Sequence, residues 1–141
     1  MRKKVCVIDG QGGGIGAALI KRLKEVYGEE IEILALGTNA IATAQMMKAR
    51  ANRGATGENA IARTAAEADM IVGPVSITWA NSMMGEVTPR IAEAVTSSRA
   101  PKILLPLSQE KIRLVGLSGE PLPHLVEEIV TQKIKECLND V

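Results

Sequence analysis

Apolar residues along the chain follow two rhythms that alternate. Short continuous runs at Val5-Cys6-Val7-Ile8, Ile31-Glu32-Ile33-Leu34-Ala35-Leu36, Met70-Ile71-Val72 and Lys102-Ile103-Leu104-Leu105 predict strands of a parallel sheet covered on both faces. Between them apolar positions recur at helical spacing. Ile15, Leu19, Ile20, Leu23 and Val26 form one stripe, with Lys21, Arg22 and Lys24 between them and Gly28 placed to end the helix. An Ala-rich stretch from Asn39 to Asp69 predicts two helices. Asn39 caps the first, which reaches to near Arg53, and Gly54-Ala55-Thr56-Gly57 separates it from a second over about Glu58 to Ala68. Gly73-Pro74 closes the third strand, Ser76 to Gly85 reads as a polar loop, and Thr88 with Pro89 marks another helix start. Leu125, Val126, Ile129, Val130, Ile134, Cys137 and Leu138 predict the last helix.

Ile112 to Leu117 reads as a fifth strand. The connection from the fourth is too short for a helical crossover, so the pair is expected to form a hairpin with strand five antiparallel. The expectation is thus a single α/β domain over residues 1–141. It is a three-layer Rossmann-like sandwich on a mostly parallel five-stranded sheet, with order 2-1-3-4-5 preferred over 3-2-1-4-5.

Ligands of open α/β sheets bind at the carboxyl ends of the strands. The turns after strands one, two and three therefore share one edge, here called the top. The helix at Glu58 is expected to start there, while the Asn39–Arg53 helix could lie over that edge as a lid or a dimer surface. The hairpin would send the last helix off from the bottom and put His124, the sole histidine, far from any site.

The first turn carries the chemistry. Gly10-Gln11-Gly12-Gly13-Gly14-Ile15-Gly16 follows a strand and opens a helix. Gly12-x-Gly14-x-x-Ala17 fits the dinucleotide fingerprint, and Gly10-x-x-x-Gly14-Ile15-Gly16 fits short-chain dehydrogenase spacing. Such glycines let backbone N–H groups approach a phosphate at a helix N-terminus. The end of strand two lacks the acid that grips an NAD ribose and has Gly37-Thr38-Asn39 instead. Thr38 and Asn39 are candidate ribose or phosphate contacts, and Lys48, Arg50 and Arg53 candidates for a 2′-phosphate. Gly73, Pro74, Val75 and Ser76 would flank the distal end of the ligand, with Thr78, Trp79, Asn81 and Ser82 beyond them.

Asp9, Glu58 and Glu86 are the top-edge carboxylates, Asp9 being placed to hold Mg²⁺, to bond a ligand hydroxyl or to stabilise the turn. There is no P-loop lysine, Tyr-x-x-x-Lys pair, GxSxG, HExxH or Cys/His metal spacing, and no catalytic residue is assigned.

Composition narrows the function classes. Aromatics make up 1% of 141 residues, which argues against base-stacking nucleic-acid binding, and 17 basic against 16 acidic residues leave a formal charge of +1. No apolar run is long enough to span a membrane, and the basic start before Val5 lacks the apolar length of a signal peptide. Cys6 and Cys137 suit reduced thiols of a cytoplasmic protein.

Val7 to Gly16, Gly37-Thr38-Asn39-Ala40 and Gly73-Pro74 resemble a family of short bacterial proteins whose domain has no assigned function. That resemblance implies a bacterial cytosolic protein with a Rossmann-like fold and brings no activity with it. The first βα unit also resembles dinucleotide-binding domains. The leading expectation is a nucleotide-binding module of sensing or regulatory type, with NAD(P) first and a mononucleotide next. A small enzyme acting on a phosphorylated or nucleotide substrate, and an oligomeric interaction protein without cofactor, are the alternatives. So small a chain makes a homodimer completing the pocket an expectation too.

Overall fold

The computed structural model describes residues 1–140. Its centre is a sheet of β1 (Lys3–Asp9), β2 (Ile31–Gly37), β3 (Arg53–Thr56), β4 (Met70–Pro74) and β5 (Lys102–Leu105), in the order β3-β2-β1-β4-β5. All four neighbouring pairs are parallel, β1 matching β2 along its full length from Lys3↔Ile31 to Asp9↔Gly37. Alternate residues of β1 face opposite layers, and both faces are sealed. Val5 and Val7 pack with Leu19, Leu23, Met46, Val126 and Val130, while Cys6 and Ile8 pack with Ile61, Ile77, Ile91 and Val95. This double burial explains why the central strands read as unbroken apolar runs.

On the first face lie α1 (Gly14–Tyr27), α2 (Ala40–Lys48) and a C-terminal helical stretch made of α5 (Leu122–Glu128), a π-helical turn over Ile129–Lys133 and α6 (Ile134–Asp140). On the second lie α3 (Glu58–Ala65) and α4 (Pro89–Ser97). Helix starts follow local chemistry. The Asn39 side chain accepts from the Ala42 N–H at 2.9 Å to cap α2, and the Thr88 hydroxyl accepts from Ile91 N–H at 3.2 Å, with Pro89 in the first turn of α4.

The sheet corrects the sequence expectation in both its order and its last strand. The observed order is 3-2-1-4-5, not 2-1-3-4-5, and among the described residues no strand is antiparallel. The added member is β3, an edge strand with sequence Arg-Gly-Ala-Thr that has no apolar run to announce it. Ile112–Leu117 forms no strand. β5 ends at Leu105 before Pro106, whose missing N–H gives a hairpin no paired start, and Gly116 with φ 92° breaks the apolar run.

Two helices move with it. The Ala-rich helix stops at Lys48 and crosses from β2 down to β3, burying Met46 against α1, so it is a crossover and not a lid. Because β5 is not followed by a returning strand, the last helix starts from the top. Arg22 Nε bonds Glu127 at 2.8 Å and the Tyr27 hydroxyl donates to the Val130 carbonyl at 2.6 Å, so α5 runs in the same direction as α1. His124 therefore stands at the top end of that helix, exposed and 3.1 Å from Glu120, and not at the far end of the molecule.

Candidate functional site

The chain runs β1 to β2 to β3 on one side, then returns to β4 and β5 on the other, so the order reverses between β1 and β4. Above that point lies a crevice of about 490 Å³ walled by Asp9 at the end of β1, Gly10 to Ile15 of the turn into α1, Pro74 at the end of β4, Ser76 just after it, Met83 and Met84 from the next loop, and Leu107 to Glu110 beyond β5. Topological switch points are where open α/β sheets take ligands, and the volume suits a small molecule.

Asp9 is the clamp that shapes the floor. It is 4% exposed, one oxygen accepting from the Gly10 N–H and the other from the Gly16 N–H, each at 2.8 Å. Burial pushes its carboxyl above the usual range, against the pull of those N–H groups, and the charge of Glu86 adds to the rise. With each oxygen accepting from a backbone N–H, Asp9 stabilises the turn. Gly13 N–H closes the turn onto the Gly10 carbonyl at 2.9 Å.

The glycines divide into two groups. A methyl at Gly10 would come 2.5 Å from the Thr38 hydroxyl and 2.6 Å from the Met83 sulfur, and one at Gly16 would come 2.5 Å from the Met46 sulfur. Gly13 has φ 73° and stands against the Ala42 backbone, 2.8 Å from where its methyl would be. These three are fixed by the fold. At Gly12 and Gly14 a methyl would meet nothing within 4 Å, neither backbone is left-handed, and no protein group accepts from either N–H. Packing and backbone conformation therefore do not require glycine at either position.

Among the described residues the crevice wall holds no lysine or arginine, so its positive potential comes from backbone N–H groups and the N-terminal end of α1. Glu110 is on the wall, accepting from the Met83 N–H at 3.1 Å.

On the flank facing β2 the arrangement is different. One oxygen of Glu86 accepts from the Gln11 N–H at 2.8 Å, the Thr38 hydroxyl at 2.6 Å and the Asn39 amide at 2.7 Å. Asn39 also donates to the Gln11 carbonyl at 3.0 Å, tying the ends of β1 and β2 together. Burial opposes the Glu86 charge, but the bonds from Thr38, Gln11 and Asn39 outweigh it and hold the carboxyl below its ordinary range.

The loop that delivers Glu86 is contorted, with φ of 69° at Asn81, 56° at Met83, 57° at Met84 and 91° at Gly85. Left-handed backbone at non-glycine residues costs about 1–2 kcal/mol each, and such costs gather at functional sites. Ser82 hydroxyl to Ser76 carbonyl at 2.5 Å and Asn81 N–H to Val87 carbonyl at 2.6 Å stitch the loop down.

Of the residues expected from sequence, Gly10, Gln11, Gly12, Gly13, Gly14, Ile15, Pro74 and Ser76 meet in the crevice. Thr38 and Asn39 are engaged by Glu86 beside it. Gly73 lets β4 lie against β1, since a methyl there would strike the Ile8 carbonyl, and Val75 opens a 3₁₀ turn over Val75–Thr78. Trp79, Asn81 and Ser82 line a neighbouring depression with Gln109 to Ile112.

The three candidate cations lie elsewhere: Lys48 and Arg50 group with Lys21 and Lys24, and Arg53 pairs with Glu32 at 2.6 Å. Glu58 accepts from the Thr88 hydroxyl at 2.5 Å and joins α3 to α4. Among the described residues no cluster of three or more His, Cys, Asp or Glu is placed to hold a metal. Sequence reasoning missed the wall from Leu107 to Glu110 because it follows β5, where a hairpin was expected. Nothing local in the sequence marked Glu86, 75 residues from Gln11, as a partner of the glycine loop.

A parallel sheet of this order, with a glycine turn opening α1 at the switch point, defines a Rossmann-like α/β protein. Over residues 4–139 the chain belongs to the family described as a domain of unknown function (DUF3842). Among curated proteins none matches it in sequence. The solved structure of a universal stress protein from Archaeoglobus fulgidus is similar at 15% identity and a TM-score of 0.42, over 74% of this chain and 98% of that one. No helix among the described residues is long and apolar enough to cross a membrane.

Proposed function

We propose that this protein is a cytoplasmic nucleotide-binding module of sensing or regulatory type, with NAD(P) as its leading ligand. The observation that carries the reading is the pair Gly12 and Gly14, glycines with no packing or dihedral reason and with N–H groups open to the crevice. A phosphate seated there takes backbone N–H bonds and the favourable end of the α1 dipole without needing a cation. Pro74 and Ser76 then flank the ligand's distal part. The three top-edge carboxylates have other partners, Asp9 and Glu86 within the loop and Glu58 between helices, so binding is favoured over acid–base catalysis.

A homodimer belongs to the proposal on a separate observation: Ile112, Leu114, Val115 and Leu117 are exposed just beyond the crevice wall, Val115 at 99%. Contiguous exposed apolar side chains of this kind mark association surfaces.

The test is native mass spectrometry of the purified chain followed by thermal-shift titration with NAD⁺, NADP⁺, ATP, GTP and FMN. Saturable stabilisation by a nucleotide is the expected result. Absence of any nucleotide effect would remove the reading.

A further inference from the structure

We propose that Glu86, delivered from the loop between β4 and α4, is the residue that reads the ligand's sugar, and that it selects a ribose with a free 2′-hydroxyl over one bearing a 2′-phosphate. The inference rests on the nucleotide reading above and sharpens it.

The end of β2 offers no acid, only Gly37-Thr38-Asn39. Glu86 brings a carboxylate to that spot from across the glycine loop, one oxygen held by Thr38, Asn39 and the Gln11 N–H at 2.6, 2.7 and 2.8 Å. All three donors are neutral, and among the described residues no lysine or arginine pairs with Glu86, so hydrogen bonds and no ion pair stabilise its charge. Glu86 lies beside the crevice, not on its wall, and among the described residues its second oxygen has no donor; that oxygen is the atom assigned to a hydroxyl of a ligand reaching past Gln11.

The same geometry works against a phosphate. A 2′-phosphate would set like charges in contact, and the candidate cations lie away from it, Arg53 paired with Glu32 and Lys48 and Arg50 beside a separate depression with Lys21 and Lys24.

The experiment is calorimetric titration of the full chain and of Glu86→Gln with NAD⁺ and with NADP⁺. Glutamine keeps one acceptor oxygen for Thr38 and Asn39, and the wild-type ratio needs no variant at all. The wild type is expected to bind NAD⁺ at least about tenfold more tightly than NADP⁺, and Glu86→Gln to narrow that ratio to about threefold or less. Equal affinities in the wild type, a preference for NADP⁺, or an unchanged ratio in the variant would each overturn the assignment while leaving nucleotide binding standing. Binding of neither dinucleotide would remove the NAD(P) reading and this inference with it.

Discussion

The glycine loop has two flanks, and they are finished differently. Toward β2 its polar atoms are satisfied from within: Gln11 N–H, Thr38 and Asn39 all donate to one oxygen of Glu86. Toward β4 the loop faces a crevice of about 490 Å³ with the N–H groups of Gly12 and Gly14 unclaimed. One flank presents a fixed negative acceptor, the other open donors backed by a helix end. A ligand that suits both carries hydroxyls at one end and phosphate next to them, which is the chemistry of a nucleotide.

The largest expected effect separates adjacent glycines. Gly14→Val fills space that the protein leaves empty, so calorimetry should find nucleotide affinity reduced by about 100-fold or more while the melting temperature changes little. Gly13→Ala should do the reverse. Its left-handed backbone and its contact with the Ala42 backbone make it destabilising by about 1–3 kcal/mol in a denaturant melt. Equal stability loss in both variants would erase the distinction between fold glycines and ligand glycines.

Next is the floor shared by both flanks. In Asp9→Asn an amide NH₂ must face the Gly10 or Gly16 N–H, leaving a buried donor unmet, at a cost of about 1–3 kcal/mol. Retention of full stability would show that the clamp contributes nothing. A smaller effect follows from charge. The Glu86 carboxyl sits below its ordinary 4.5 in the folded protein, so its contribution is complete above that pH and is lost as pH falls below it through the folded value. Acid melts of wild type and Glu86→Gln should therefore converge as pH falls below 4.5 through the folded value of that carboxyl. Because the Glu86 charge also raises Asp9, the Asp9 carboxyl should titrate at lower pH in Glu86→Gln, read from its side-chain carbon resonance. Smallest of all, His124→Ala should leave nucleotide affinity unchanged, since the ring is exposed and bonded only to Glu120 among the described residues.

What was legible in the sequence follows burial. β1, β2 and β4 could be read because their central residues are enclosed and apolar, β5 because Ile103, Leu104 and Leu105 form a short apolar run, and the caps at Asn39 and Thr88 because one side chain makes each. β3 was hidden: an edge strand of Arg53, Gly54, Ala55 and Thr56 is held by its ladder to β2 and not by an apolar face. The Ile112–Leu117 pattern pointed the other way, because alternation describes a surface that is to be covered and these side chains are open. Missing β3 in turn left the Ala-rich helix without a strand to reach, and adding a fifth strand reversed the last helix. In the site, the glycine loop was legible as a local motif. The Glu86 bridge was not, since it joins positions 75 apart through a loop whose backbone is set by tertiary contacts.

The most direct test of the central claim is an amide-resolved NMR titration of the wild-type chain with NAD⁺. The account predicts saturable shifts centred on the Gly12, Gly14 and Ile15 N–H signals, with Gly57 beyond β3 unmoved. Saturable shifts that bypass the glycine loop, or no shifts at millimolar NAD⁺, would contradict it.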